Sequence, residues 1–113
     1  MLLSSNISSI HLLRLLHGTD FWSLFFTYFR CGTRASNFAS RHNIPISYGS
    51  YQDLIDDPDI DVVYIGTIAD HHAELAEKCL LAKKPTVVEK PVTLTYKDTK
   101  RLVDLARQQQ VFF

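Results

Sequence analysis

The chain has 113 residues, enough for one domain and too few for two of ordinary size. Twelve basic residues balance twelve acidic ones, so charge makes no case for nucleic acid or an anionic membrane surface as partner. A charged fraction of 21% and a hydrophobic fraction of 46% are those of an ordinary globular domain.

Residues 1–29 differ from the rest. Residues 1–16 are rich in Ser, Leu and Ile, His17-Gly18-Thr19-Asp20 interrupts them, and residues 21–29 are almost wholly aromatic and apolar. Neither run reaches the roughly 18–20 apolar residues that span a bilayer. A signal peptide would carry a basic start and small residues before a cleavage point, and neither is present. Three readings stand: a helix and a buried strand of the domain, an interfacial anchor centred on Phe21 to Phe29, or an atypical segment that replaces the natural opening of the fold. The third is adopted, which divides the chain into residues 1–29 and 30–113. Cys31 and Cys79 lie in no metal-type spacing and read as free thiols of a reducing, cytoplasmic compartment.

From Arg30 the pattern becomes regular. Ala35, Phe38, Ala39 and His42 follow i, i+3, i+4, i+7 spacing and predict a short amphipathic helix over 33–42, stopped at Asn43. Ile44-Pro45-Ile46-Ser47-Tyr48 reads as an edge strand, because Pro45 cannot donate to a central ladder. Ser50 with Asp53 three residues on opens a second helix that buries Leu54 and Ile55. Asp56, Asp57 and Asp59 read as a solvated turn, since they lack the spacing of a calcium loop.

The chain is organised around residues 61–91. Val62-Val63-Tyr64-Ile65 is an apolar run without alternation, which predicts a strand covered on both faces, and Thr86-Val87-Val88 repeats it. About twenty residues separate the two, enough for the crossover helix that parallel strands need and too many for a hairpin. Asp70 is a candidate cap for a helix over 71–82, and Lys83-Lys84 stand at the negative end of its dipole. Gly66-Thr67 and Glu89-Lys90-Pro91 fall where the two strands end, and ligands of parallel sheets gather there. Beyond Pro91, Thr95 and Asp98 signal a last helix, with Leu102, Val103, Leu105 and Ala106 as its apolar face as far as Gln110. Val111-Phe112-Phe113 reads as the start of a further strand and leads to the expectation that the chain is truncated.

These pieces together carry a family likeness. Arg41-His42-Asn43-Ile44-Pro45, Tyr48-Gly49-Ser50-Tyr51, Val63-Tyr64-Ile65-Gly66-Thr67 with His72 five residues on, and Glu89-Lys90-Pro91 resemble the N-terminal half of the glucose-fructose oxidoreductase, inositol dehydrogenase and MocA family, nearest to its diol-dehydrogenase branch. The resemblance implies an α/β fold, a partial doubly wound, Rossmann-type parallel sheet, and NAD(P)-dependent hydride transfer to or from a diol or sugar-like substrate. It implies that Lys90 reaches the nicotinamide and the reacting oxygen as the catalytic cation, where charge develops. Glu89 would contact the nicotinamide ribose, Thr67 and Ile68 would lie under the cofactor, and His72 would belong to the cofactor site. Arg30 falls where members that use NADP place a base for the 2′-phosphate. No metal site is expected, since His11, His17 and His42 show no ligand spacing.

The departures from the family pattern matter as much. The opening strand and its Gly-rich turn are missing: Gly18, Gly32, Gly49 and Gly66 are too far apart to cradle a pyrophosphate. Two lost N–H bonds to charged oxygens cost about 3–6 kcal/mol, so NAD or NADP binding by this chain alone is expected to be poor and the chain inactive by itself. The missing strand is the centre of a doubly wound sheet, so its loss is expected to separate residues from 61 on from everything before them. Lys83 stands where the family has the helix-ending glycine, a cost of about 1 kcal/mol if that position is left-handed. A reading of another class is a non-catalytic interaction module whose exposed sheet edge pairs with another subunit, by self-association, or with a full-length relative.

Overall fold

The computed structural model describes residues 9–13, 26–28, 32–44 and 46–113, with side chains from residue 33 on. The two valine-rich segments are strands, β3 (Val62–Gly66) and β4 (Thr86–Val88), and they pair in parallel with Val63, Tyr64 and Ile65 beside Thr86, Val87 and Val88. Between them run a 3-10 turn (Ala69–His71) and helix α3 (His72–Leu81), completing the βαβ unit. Asp70 does not cap this helix. It lies inside the 3-10 turn, and the residue at the cap position, His71, makes no side-chain capping bond.

The helix end follows from backbone geometry. Lys83 has φ 57°, the left-handed conformation that the family's glycine would adopt at no steric cost. It lets Lys83 N–H reach the Leu80 carbonyl at 3.0 Å and Lys84 N–H reach the Cys79 carbonyl at 2.9 Å, satisfying carbonyls that the last turn would leave orphaned. Helix α4 (Tyr96–Gln109) starts as its sequence indicates, with the Thr95 hydroxyl accepting from Asp98 N–H at 3.1 Å. Gln110 ends it in a left-handed cap. Thr86 N–H then donates to the Phe112 carbonyl at 3.0 Å, a first ladder contact along the outer edge of β4.

Only one face of the parallel pair is fully covered, contrary to the expectation from the unbroken apolar runs. Val63 and Ile65 are buried, whereas Val62, Tyr64 and Gly66 are half-buried and Val87 is exposed. The covered face packs on Leu75, Ala76, Cys79 and Leu80 of α3 and on Leu102 and Ala106 of α4. Helix α1 (Gly32–Arg41), whose Ala35 and Ala39 are buried apart from this cluster, packs at strand β2 (Phe26–Tyr28), and the outward side chains of the β3–β4 pair do not reach the burial of a complete doubly wound sheet. Burial also pushes the Cys79 thiol up to about 11, against smaller opposing effects of Thr86 and Lys84.

The segment before β3 is not separated from it. Helices α1 (Gly32–Arg41) and α2 (Tyr51–Asp56) form close to their expected bounds, α2 being capped by Ser50 Oγ on Asp53 N–H at 3.0 Å. Leu54, Ile55 and Ile60 belong to the same buried cluster as Val63 and Ile65. Packing against a sheet face requires apolar area rather than a ladder neighbour, so α2 reaches β3 without a strand between them. Among the described residues, 46–48 pair with no strand, so no edge strand forms over them. Tyr48 instead donates its hydroxyl to Asp57 Oδ2, and Asp57 Oδ1 accepts from Asp59 N–H at 2.8 Å, so part of the aspartate turn is internally bonded.

Two strands from the first 29 residues join the sheet. β1 (Ser9–Leu13) lies beside β3 and β2 (Phe26–Tyr28) lies beside β1, giving the order β2-β1-β3-β4. Both pairings are antiparallel, with Ser9 opposite Gly66 and Leu13 opposite Val62. The place of the family's central parallel strand is thus held by a strand of opposite direction. Cys31, Arg30, Pro45, Gly18 and most of the two apolar runs lie outside the described residues.

Candidate functional site

Where β3 and β4 end together, their two following loops form one mouth. Glu89 N–H extends the ladder to the Ile65 carbonyl at 2.9 Å, so Glu89 leaves β4 level with the last residues of β3. Side chains alternate along a strand, so Val87 and Glu89 share the outer face with Tyr64 of the neighbouring strand. Tyr64 donates its hydroxyl to Glu89 Oε2, and Lys90 N–H donates to Glu89 Oε1 at 3.3 Å. Each carboxylate oxygen therefore has one protein donor and keeps acceptor capacity for another.

The electrostatics follow from these bonds. The Tyr64 hydroxyl, followed by the Lys90 backbone N–H, holds the Glu89 carboxyl below the usual carboxylate range. The same carboxylate, with some burial, pushes the Tyr64 phenol up to about 12. Tyr64 is a site residue that sequence reading missed. The available signal was its outward parity on β3, one strand away from Glu89.

Behind the mouth stands His72, 1% exposed, at the first position of α3. Its Nδ1 is 2.8 Å from the Pro91 carbonyl oxygen and its Nε2 is 2.8 Å from the Thr67 carbonyl oxygen. One ring thus spans the turn after β3 and the loop after β4. The loop continues through Thr93, whose hydroxyl donates to the Thr95 carbonyl at 2.7 Å and pairs with Thr99 Oγ1 at 2.7 Å, which fixes it to the start of α4. The Lys90–Pro91 peptide bond is cis.

The residues expected from the sequence are thereby located. Thr67 is buried, with its hydroxyl donating to the Ile68 carbonyl at 3.3 Å, and Ile68 is exposed. Glu89 and Lys90 are exposed. Among the described residues no hydrogen bond or ion pair holds the Lys90 ammonium. Both His72 ring nitrogens are already engaged by backbone carbonyls. Arg30 lies outside the described residues. Among the described residues no cluster of His, Cys, Asp or Glu could hold a metal ion.

Whether this mouth fits a dinucleotide divides along its length. The β4 side offers an exposed cation and a carboxylate with free acceptor capacity, which suits a ribose and a reacting oxygen. On the β1 side a pyrophosphate would need a parallel strand running into a helix N-terminus with a glycine turn. There β1 has its first residue, Ser9, beside Gly66, so its direction is wrong for that turn. Among the described residues the donors fit the nicotinamide half and not the pyrophosphate half.

The parallel β3–α3–β4 unit, with Glu89 and Lys90 at its carboxyl end, defines the class as a Rossmann-type α/β unit. The chain belongs to the glucose-fructose oxidoreductase, inositol dehydrogenase and MocA family, whose sequence profile, described as an oxidoreductase family with an NAD-binding Rossmann fold, matches residues 4–113. Among relatives, the trans-1,2-dihydrobenzene-1,2-diol dehydrogenase of Danio rerio is 44% identical over 78 residues, covering 69% of this chain and 23% of that protein. The Homo sapiens protein of the same name is 39% identical over 80 residues, covering 71% and 24%. Among solved structures, the biliverdin reductase from Synechocystis sp. PCC 6803, in complex with biliverdin and NADP+, is similar with a TM-score of 0.62 at 40% identity, over 68% of this chain and 24% of that one. The 3-ketoreductase KijD10 from Actinomadura kijaniata, in complex with TDP-benzene and NADP, gives 0.66 at 32% identity, over 73% and 26%. The chain spans about a quarter of the length of the curated relatives it matches.

Proposed function

We propose that this chain supplies the nicotinamide half of the cofactor site of an NAD(P)-dependent oxidoreductase acting on a diol or sugar-like substrate. The observation that carries the reading is the pair Glu89 and Lys90 at the mouth of a parallel β3–β4 pair. The cofactor, when bound, exchanges a hydride with the substrate carbon. Lys90 presents an ammonium to the substrate oxygen, where negative charge grows as a carbonyl accepts hydride or as an alcohol gives up its proton ahead of hydride loss. The Glu89 carboxylate accepts from ribose hydroxyls with the capacity that Tyr64 and Lys90 N–H leave open. Thr67 and Ile68 form the floor, and His72 stands behind them. Arg30 remains the candidate for a 2′-phosphate. The division into an atypical segment, 1–29, and a partial Rossmann unit, 30–113, fits the reversed direction of β1. The buried thiol of Cys79 suits a reducing compartment, and we place the chain in the cytoplasm. No helix among the described residues is long and apolar enough to cross a membrane.

Calorimetric titration of the chain tests the reading. NADPH and the reduced nicotinamide mononucleotide should bind with affinities within about tenfold of each other, because the second half of the dinucleotide gains few bonds here. Lys90→Met should weaken both. NADPH binding a thousandfold tighter than the mononucleotide, or turnover of a diol by the chain alone, would overturn the proposal.

A further inference from the structure

Two loops meet at the mouth, and one buried side chain touches both. A carbonyl oxygen only accepts, so each contact of the His72 ring needs an N–H from the ring nitrogen facing it; a neutral ring donates to one carbonyl and a doubly protonated ring to both. The bonds reach Thr67, the last buried residue before the exposed Ile68, and Pro91, the residue directly after Lys90. β3 and β4 are laddered as far as Glu89 N–H and the Ile65 carbonyl, and beyond that point no ladder bond continues. Thr93 fixes the far end of the second loop to α4. The ring is therefore the tie between the two loops at the level where Ile68 and Lys90 emerge.

We propose that His72 is a positioning residue: through Nε2 on the Thr67 carbonyl and Nδ1 on the Pro91 carbonyl it sets the spacing between the cofactor floor and the Lys90 ammonium. It acts through backbone and touches neither cofactor nor substrate. The functional consequence rests on the nicotinamide-site reading, whereas the mechanical tie does not.

The experiment uses the whole chain, labelled for NMR, and three substitutions with different donor placement. The side-chain amide nitrogen of glutamine falls near the position of Nε2 and that of asparagine near Nδ1. His72→Leu removes both donors while keeping an apolar group of similar bulk. In His72→Leu the backbone amide signals of Thr67, Ile68, Lys90 and Val92 should all shift, while those of Leu102 and Ala106 stay in place. His72→Gln should return the Thr67 and Ile68 signals towards the wild-type positions, and His72→Asn those of Lys90 and Val92. A residue that merely fills space gives no such side-specific rescue. Equal behaviour of the glutamine and asparagine variants, or shifts confined to one loop in His72→Leu, overturns the tie. Should a variant fail to fold, the wild-type chain still decides the matter, because couplings across the hydrogen bonds should join ring nitrogens to the Thr67 and Pro91 carbonyl carbons. Absence of either coupling overturns the proposal. NADP+ titration then reads the consequence: His72→Leu should bind about tenfold more weakly, the loss of one good hydrogen bond at the ligand. Unchanged affinity in a variant whose loops have shifted overturns the positioning role. If NADP+ leaves the wild-type spectrum unmoved, the cofactor reading fails, and the tie is judged on the ligand-free spectra.

Discussion

The two ends of the β3–β4 pair treat the same side chain in opposite ways. At the entry end Lys84 turns its ammonium back onto the Asp57 carbonyl at 2.6 Å and the Ile60 carbonyl at 3.1 Å, closing the turn that leads into β3. Val63 N–H bonds the Pro85 carbonyl beside it at 2.8 Å, and Tyr48 bonds Asp57 from the other side. At the exit end Lys90 is exposed, and the donors and acceptors around it are engaged with one another: Tyr64 with Glu89, His72 with two carbonyls. One lysine satisfies the protein, and the other stands exposed among the described residues. What decides between them is the supply of backbone carbonyls within reach of the ammonium. The aspartate turn exposes two towards Lys84, whereas those at the exit are taken by His72.

Substitutions can break or sharpen that contrast. The largest effect is expected at the entry end: Lys84→Met leaves two carbonyls without a charged donor and should destabilise the chain by about 2–4 kcal/mol in urea unfolding. Lys90→Met should change unfolding by no more than about 0.5 kcal/mol, because an exposed side chain away from caps and cores contributes little. Equal losses for the two lysines would erase the distinction. Tyr48→Phe removes one bond to Asp57 and should cost about 1 kcal/mol, placing it between them.

The smallest effect is a pH dependence at the exit. The Tyr64 phenol is raised to about 12 by its bond to Glu89, above the unfolded value near 10. Protonated tyrosine is favoured by the fold, so its stabilising contribution is complete below about pH 10 and is lost as pH rises through 12. Ultraviolet titration should show one tyrosine ionising last, and Glu89→Gln should bring it back towards 10. No change in the titration with Glu89→Gln would remove the pairing of Tyr64 with Glu89.

Much of this arrangement was legible in the residues. The βαβ unit followed from two valine-rich runs about twenty residues apart, and the start of α4 from Thr95 and Asp98, because strand period and caps are local properties. Lys83 stood out as a misfit, and its left-handed φ of 57° bears this out. Asp70 and the segment 46–48 misled for a related reason: a capping residue and an extended run are permitted by local sequence but realised only if the surroundings supply a partner. In both cases the surroundings did not, since the helix enters through a 3-10 turn and no strand among the described residues pairs with Tyr48.

Local order alone therefore determined the places of α2, β3, α3, β4 and α4, though not the 3-10 entry to α3, and that Glu89 and Lys90 would follow a strand. The fold decided the rest. The direction of β1 beside β3, the Tyr64 bond to Glu89 and the reach of His72 to the Pro91 carbonyl all join residues 19 or more positions apart, or depend on which neighbour a strand finds. Such contacts carry no periodic mark, because their free energy comes from groups brought together only when the chain has closed on itself.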